Sequence, residues 1–357
     1  MRIAMFGSSL VSAYWNGAAT YYRGMVRALA ARGHQVTFYE PNAYQRQEYR
    51  DLDPPSWARV IVYEPTRGEV DRWLQEARGA DLLIKTSGIG VLDDHLETAV
   101  PAARTGSNMV VYWDVDAPAT LTRLRSEQPG PLLDTLASFD RILTYGGGDP
   151  VVKDYLALGA RSCHPIYNGL DPETHHPVPS EGRYACDLGF LGNRLPDREH
   201  RVEEFFLRAA DASPRQHFIL AGNGWADKPR SKNVSYLGHL PTALHNVFNC
   251  SARAVLNICR DSMAAYGFSP ATRVFEAAGA GACIITDDWE GIEQFFEPGR
   301  EILVAKNGAE VAETLAALGP DRAHAIGQAA RDKALREHTY TQRAIRFEQA
   351  IEGRTSR

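Results

Sequence analysis

Short apolar runs recur along the chain, and most of them close in Gly, Asp, Ser or Pro. "RIAMF" (2–6), "QVTFYEP" (35–41), "ADLLIKTSG" (80–88), "NMVVYWDVDAP" (108–118) and "FDRILTYGGG" (139–148) share this form. Continuous apolar runs bounded by turn residues predict strands buried on both faces. Helical spacing fills most of the gaps. In "NGAATYYRGMVRALAARGH" (16–34), Asn16 is expected to cap a helix that Gly33 ends. Alternating strands and helices predict a parallel sheet covered by helices on each face.

The pattern then restarts. "CDLGFLGN" (186–193) reads as a strand and "DREHRVEEFFLRAADA" (197–212) as an amphipathic helix. "QHFILAGNG" and "NVSYLG" follow as strands, "PTALHNVFNCS" as a helix, and "RAVLNIC", "ACIITD" and "EILVA" as strands. Between the halves, "HPIYNGLDPETHHPVPSEGRYA" (164–185) lacks apolar periodicity and reads as a connector, with His175 and His176 expected in solvent. The end, from Asp321, is helical. The expected architecture is α/β, two successive Rossmann-like doubly wound domains, 1–170 and 171–335, with a last helical segment 336–357. Such domains carry ligand sites at their strand ends, on facing edges of a cleft.

Bulk properties narrow the function. A chain of 357 residues exceeds what one core usually serves. A net charge of −5 argues against nucleic acid as the main partner. Five scattered cysteines without a C-x-x-C pair fit reduced thiols in a cytoplasm. The apolar start breaks at Gly7, which favours a strand over a signal peptide, and no run approaches a membrane span.

The densest chemistry lies in "YGFSPATRVFEAAGAGACIITDD" (266–288). Ser269 is suited to an N-cap and Pro270 to the first helical position, so a helix is expected to start there. Its free amides, Ala271 and Thr272 among them, would attract phosphate. Arg273 offers a planar fork of donors to a diphosphate. Glu276, three residues on, suits vicinal hydroxyls such as a ribose; the plain alternative is an Arg273–Glu276 pair on a core helix. The small residues of "AAGAGA" are expected to let the helix lie close to its sheet.

"RVFEAAGAGACIITDDWEGIEQFFEPGREILV" resembles the donor-domain signature of group 1 retaining glycosyltransferases with the GT-B fold. The closest likeness is to the spore-maturation-protein-like (CgeB-type) branch, through "SP-x-x-R-x-FE". "IYNGLDPETHHP", "GFLGN", "ILAGNG", "YLGHL", "YWDVDAPATL" and "YGGGDPVVKDYLALGA" match in order along nearly the whole chain. The resemblance implies that Glu276 takes the ribose of a nucleotide-sugar, and that Phe268, Ser269, Ala271, Thr272 and Arg273 line its diphosphate and sugar. Gly192 and Asn193 would belong to the first donor loop, and His239 and Leu240 would lie near the base. It also implies a last helix crossing back onto the first domain. The first glutamate of the family's Glu-x7-Glu pattern is replaced by Phe268, which with Tyr266 would shape the sugar pocket.

Other constellations are weaker. Asp114 and Asp116 form a D-x-D after a strand; they are read as acceptor contacts or a base, with a metal clamp or a structural turn as alternatives. In "GSSLVSAYWNGAAT", Ser8, Asn16 and Gly17 are acceptor candidates or a capping turn. Gly146 to Gly148 could admit a substrate or simply turn. Arg194 and Arg198 could neutralise a departing diphosphate or be surface residues. No Walker loop, G-x-S-x-G, H-E-x-x-H or strict G-x-G-x-x-G is present.

The resulting expectation is a cytoplasmic glycosyltransferase moving a sugar from a nucleotide-diphosphate sugar to an acceptor hydroxyl, retaining and metal-independent. Asp114, Asp116 and Arg273 are the catalytic candidates. No cofactor beyond the nucleotide-sugar co-substrate, no nucleic acid and no membrane span are expected. A nucleotide-sugar 2-epimerase and a non-catalytic nucleotide-sugar binder are the rivals. The sugar, base, acceptor and oligomeric state stay open.

Overall fold

The computed structural model describes residues 1–14 and 16–353; the end of the expected last segment, 354–357, lies outside the described residues. The chain divides into two compact units. One is Met1–Tyr167 with the chain from Tyr340 onward, and the other is Asn168–Thr339.

The first unit holds a seven-stranded sheet of β1 (Arg2–Phe6), β2 (Gln35–Pro41), β3 (Arg59–Tyr63), β4 (Leu82–Thr86), β5 (Met109–Asp114), β6 (Arg141–Thr144) and β7 (Cys163–Pro165). Its order is β3-β2-β1-β4-β5-β6-β7 and every pairing is parallel. The two edge strands, β3 and β7, went unanticipated. β3 is buried at only two of its five positions, and β7 has three residues, so neither makes a long apolar run.

The second unit repeats the plan with six strands: β8 (Cys186–Leu191), β9 (Phe218–Ala221), β10 (Val234–Gly238), β11 (Ala252–Asn257), β12 (Ile284–Asp287) and β13 (Leu303–Ala305). Their order is β10-β9-β8-β11-β12-β13, again all parallel. In both sheets the order reverses beside the first strand. The crevice beyond the carboxyl ends at that point is where open α/β sheets take ligands.

Helix Ala19–Ala31 begins at Ala18, whose position carries no side-chain cap. Asn16 does not cap it, because its Oδ1 accepts from the Ser8 hydroxyl at 2.9 Å while its Nδ2 donates to the Ser9 and Ser12 carbonyls inside the preceding loop. The helix does end at Gly33, with φ +87°. The Gly33 amide donates to Ala30 and the His34 amide to Leu29, closing the last turn. Among the described residues, no helix is long and apolar enough to cross a membrane.

The last helix, Tyr340–Glu352, returns to the first unit and packs against Ala19–Ala31. Gly24 makes this approach possible: a Cβ there would fall 2.2 Å from the Tyr340 ring. Phe347 stacks on Trp113 with centroids 5.3 Å apart, and Glu348 accepts from Arg32 and His34. Phe347 is fully buried, so Phe347→Ala should lower stability by about 3–5 kcal/mol. Urea unfolding of the whole chain measures this, and a loss below about 1 kcal/mol would show that the helix is only loosely docked.

Candidate functional site

The site in the second unit is assembled from the loops after β8, β9 and β11. Gly192 follows β8 and Gly222 follows β9, and these loops meet backbone to backbone. Gly222 has φ +129°, and a Cβ on it would lie 2.2 Å from the Gly192 carbonyl oxygen. Only glycine satisfies both demands. The contact is held by Asn193, whose Oδ1 accepts from the Asn223 amide, and by Trp225, whose indole donates to the Gly192 carbonyl at 2.8 Å.

Two guanidinium groups converge on Gly192. A Cβ at that position would lie 2.7 Å from Arg273 Nη2 and 3.1 Å from Arg198 Nη2. Arg273 Nε donates to the Leu191 carbonyl at 2.6 Å, and its Nη1 reaches Asn257 Oδ1 at 3.4 Å. Arg198 donates to the Asn193 carbonyl and is 8% exposed, with its Nε lacking a hydrogen-bond partner. Among the described residues, neither forms an ion pair with a carboxylate. Burial holds both groups below the ordinary arginine range, and the neighbouring Arg273 depresses Arg198 further. Two partly desolvated cations facing one point make a receptor for an anion.

Arg194 is not part of that receptor. Its guanidinium is occupied by Glu199 at 2.7 Å and Asp227 at 2.9 Å, which clamp the first loop to the second. The expectation that it stabilises a leaving diphosphate is corrected by this neutralisation.

The helix after β11 begins two residues later than its sequence signals suggest. It runs Thr272–Gly279 with Ala271 at the N-cap, while Ser269 donates to the Gly267 carbonyl at 2.8 Å. The local bond wins because Gly267 adopts φ +67° and turns its carbonyl back toward Ser269. The Val274 amide already donates to the Ala271 carbonyl at 3.0 Å, so the donors this helix start offers are the Thr272 and Arg273 amides. The small residues serve a different contact from the one expected. A Cβ on Gly279 would strike Leu170 at 2.3 Å and the His175 carbonyl at 2.8 Å, so Gly279 admits the connector across the helix.

That crossing brings His175 to Glu276. His175 is 3% exposed, contrary to the expectation that it is solvated, and its Nε2 stands 3.9 Å from Glu276 Oε1. His245 joins them, and one ligand atom from each residue lies within 4.8 Å of the others. Glu276 and Arg273 do not stand in ion-pair contact, although the carboxylate still favours the charged guanidinium. The Glu276 carboxylate, 18% exposed, takes no side-chain hydrogen bond among the described residues and is available to a ligand.

Phe268, where the family glutamate would stand, has φ +46°. Its amide donates to the Glu290 carbonyl at 2.6 Å, and its ring covers Gly291. Left-handed backbone at a bulky residue is strained, and here it is held by a second loop. Glu290, exposed beside Phe268, was not anticipated; its contacts with Phe268 and Gly267 reveal it. Tyr266 ends the short helix Asp261–Tyr266. His239 is exposed near Asn223, whereas Leu240 is buried with Ile219, Ala221 and Phe248.

In the first unit, Asp114 is a structural hub. It accepts from Ser87 at 2.7 Å, Thr120 at 3.0 Å, Tyr155 at 2.5 Å and the Asp116 amide at 2.9 Å. Fully buried, with its pKa raised by desolvation, it presents no oxygen to an acceptor or a metal. Asp116 is half-buried at the start of helix Ala117–Leu124. Ser8 and Asn16 bond to each other at 2.9 Å and close their loop, so their side chains are spent; Gly17 is exposed. Gly147 and Gly148 have φ +89° and +48°, the geometry of a turn into helix Gly148–Ala157. Asp114→Ala strands three buried hydroxyls and should cost about 3 kcal/mol or more. Unchanged urea stability would return Asp114 to the list of accessible carboxylates.

Residues 198–349 match the family described as Glycosyl transferase-like. A sequence comparison with curated proteins gives no significant match. Solved structures align over nearly the whole chain. Sucrose-phosphate synthase from Thermosynechococcus elongatus superposes with a TM-score of 0.71 at 14% identity, covering 99% of this chain and 98% of that one. HepE of Anabaena, in complex with UDP and glucose, gives 0.70 at 14% identity over 99% and 100%. BGT of phage T4, in complex with its UDP-glucose substrate, gives 0.61 at 14% over 99% and 98%. The fold is therefore of the GT-B class, two parallel α/β units with a returning C-terminal helix. Within it, the segment holding the arginine pair and Glu276 is the part that matches the glycosyl transferase-like family.

Proposed function

We propose that this chain transfers a hexose from a nucleoside-diphosphate sugar to an acceptor hydroxyl, in the cytoplasm, with retention and without a metal or further cofactor in the transfer step. The observation that carries this reading is the Arg198–Arg273 pair, two desolvated cations aimed at Gly192 and, among the described residues, ion-paired to no carboxylate. A diphosphate satisfies that arrangement, and the amides at the start of the helix that carries Arg273 add donors. Glu276, in the same helix, has the chemistry to accept two ribose hydroxyls.

The reaction follows from that binding. The bond between the anomeric carbon and the diphosphate oxygen breaks, the acceptor oxygen bonds to that carbon, and the acceptor proton passes to the departing diphosphate. Charge building on the diphosphate is met by Arg198 and Arg273, which stabilise it in the transition state more than in the ground state. Retention, and membership of the spore-maturation-protein-like branch, are proposed on the likeness of "SPATRVFE". Asp116 and the exposed Gly17 are the proposed acceptor contacts. UDP-hexoses are the first donors to try, because HepE and BGT are solved with UDP and glucose or UDP-glucose.

The test is thermal stability of the purified protein against UDP-, GDP-, dTDP- and ADP-sugars. Ligand at about 100 times its dissociation constant should stabilise the fold by roughly 2.7 kcal/mol, and Glu276→Ala should abolish most of that. Arg198→Met should leave the free protein as stable or more so, by relieving a buried like-charge contact, while weakening nucleotide binding. No shift with any nucleotide would sink the proposal. Binding of a nucleotide-sugar with no transfer to any hydroxyl would reduce it to a binding protein.

A further inference from the structure

We propose that His175, His245 and Glu276 form a binding site for a borderline divalent cation of the zinc class, and that the cation competes with nucleotide ribose for Glu276. Three potential ligands from three segments, the connector, the helix His245–Ser251 and the helix Thr272–Gly279, meet with one ligand atom each within 4.8 Å of the others. Ligands around a tetrahedral zinc ion stand about 3.4 Å apart, so the gap to close is at most about 1.4 Å. His175 Nε2 and Glu276 Oε1, at 3.9 Å, are nearly there.

The state of each group favours a metal. His175 Nε2 is buried without a hydrogen-bond partner, an orphaned lone pair or proton aimed at the carboxylate. Such an atom is costly unless something occupies the space before it. His245 donates from Nε2 to the Leu240 carbonyl at 3.2 Å, which leaves its lone pair on Nδ1. A backbone carbonyl holding one ring nitrogen while the other binds is the usual support for a metal-binding imidazole. Two imidazoles and one carboxylate suit zinc and its neighbours rather than magnesium or calcium, which prefer all-oxygen sites. Glu276 remains partly open to solvent, so a fourth position is left for water.

The cation site stands on these three residues alone, whereas the competition rests on Glu276 also being the ribose acceptor. Calorimetric titration of ZnCl₂ into the nucleotide-free protein tests the first part. One ion per chain is expected, with affinity weakened roughly tenfold or more by His245→Ala and by His175→Gln, each checked for folding by its melting curve. Cobalt(II) should give the visible bands of four-coordinate geometry and lose them in the same variants. Absent binding, or binding indifferent to both replacements, overturns the site. UDP affinity should fall as zinc is added to the wild type and stay constant in His245→Ala. Zinc binding that needs both histidines yet leaves UDP affinity unchanged overturns the competition alone, and a protein that ignores UDP altogether fails the nucleotide reading while the zinc titration still decides the site.

Discussion

The second unit is organised around two guanidinium groups brought to one glycine without an ion-paired carboxylate among the described residues; Glu276 and Asp287 act on Arg273 only from farther off. Taking a cation out of water is expensive, and placing a second one beside it adds repulsion. Proteins usually answer with a carboxylate, as this chain does elsewhere: Arg194 has Glu199 and Asp227, and Arg201 has Asp287. Among the described residues, Arg198 and Arg273 donate to carbonyl and amide oxygens. The arrangement is stable because the rest of the unit over-determines it. β8 and β11 flank the point where strand order reverses, Gly192 and Gly222 let two loops touch, and the Arg194 clamp locks them together.

Glycines set the distances that matter here. Gly222 permits the loop contact beneath the arginines, and Gly279 permits the connector to cross the helix that carries Glu276. The second contact has the larger chemical consequence, because it carries His175 out of solvent and against the carboxylate. A helix with ordinary side chains at 279 would hold the connector away, and Glu276 would face water without an imidazole beside it.

The first unit uses its polar residues differently. The carboxylate that ends β5 is enclosed by Ser87, Thr120 and Tyr155, and the first loop is tied by Ser8, Asn16, Ser9 and Glu40. These groups hold the loops at the sheet's carboxyl edge in fixed positions. Asp116 is half-buried at the start of helix Ala117–Leu124, and Gly17 is exposed just before helix Ala19–Ala31.

Sequence by itself determined the alternation of strands and helices, the duplication of the plan and the helix bearing Arg273 and Glu276. Those features are written in local periodicity and turn chemistry, which act over a few residues and survive without knowledge of neighbours. It was silent on β3 and β7, whose edge positions need little apolar surface, and it misjudged Ser269 and Asn16, whose side chains found backbone partners better placed than the helix amides. Tertiary structure decided the rest. Whether a charge is free depends on who stands opposite it across tens or hundreds of residues. Arg194 and Arg198, four apart in sequence, differ because Glu199 and Asp227 reach one and only carbonyl oxygens reach the other. Asp114 and Asp116, two apart, differ because one points into the sheet's hydroxyl cluster. His175 acquired its place from a glycine 104 positions away, a separation over which no local pattern carries information.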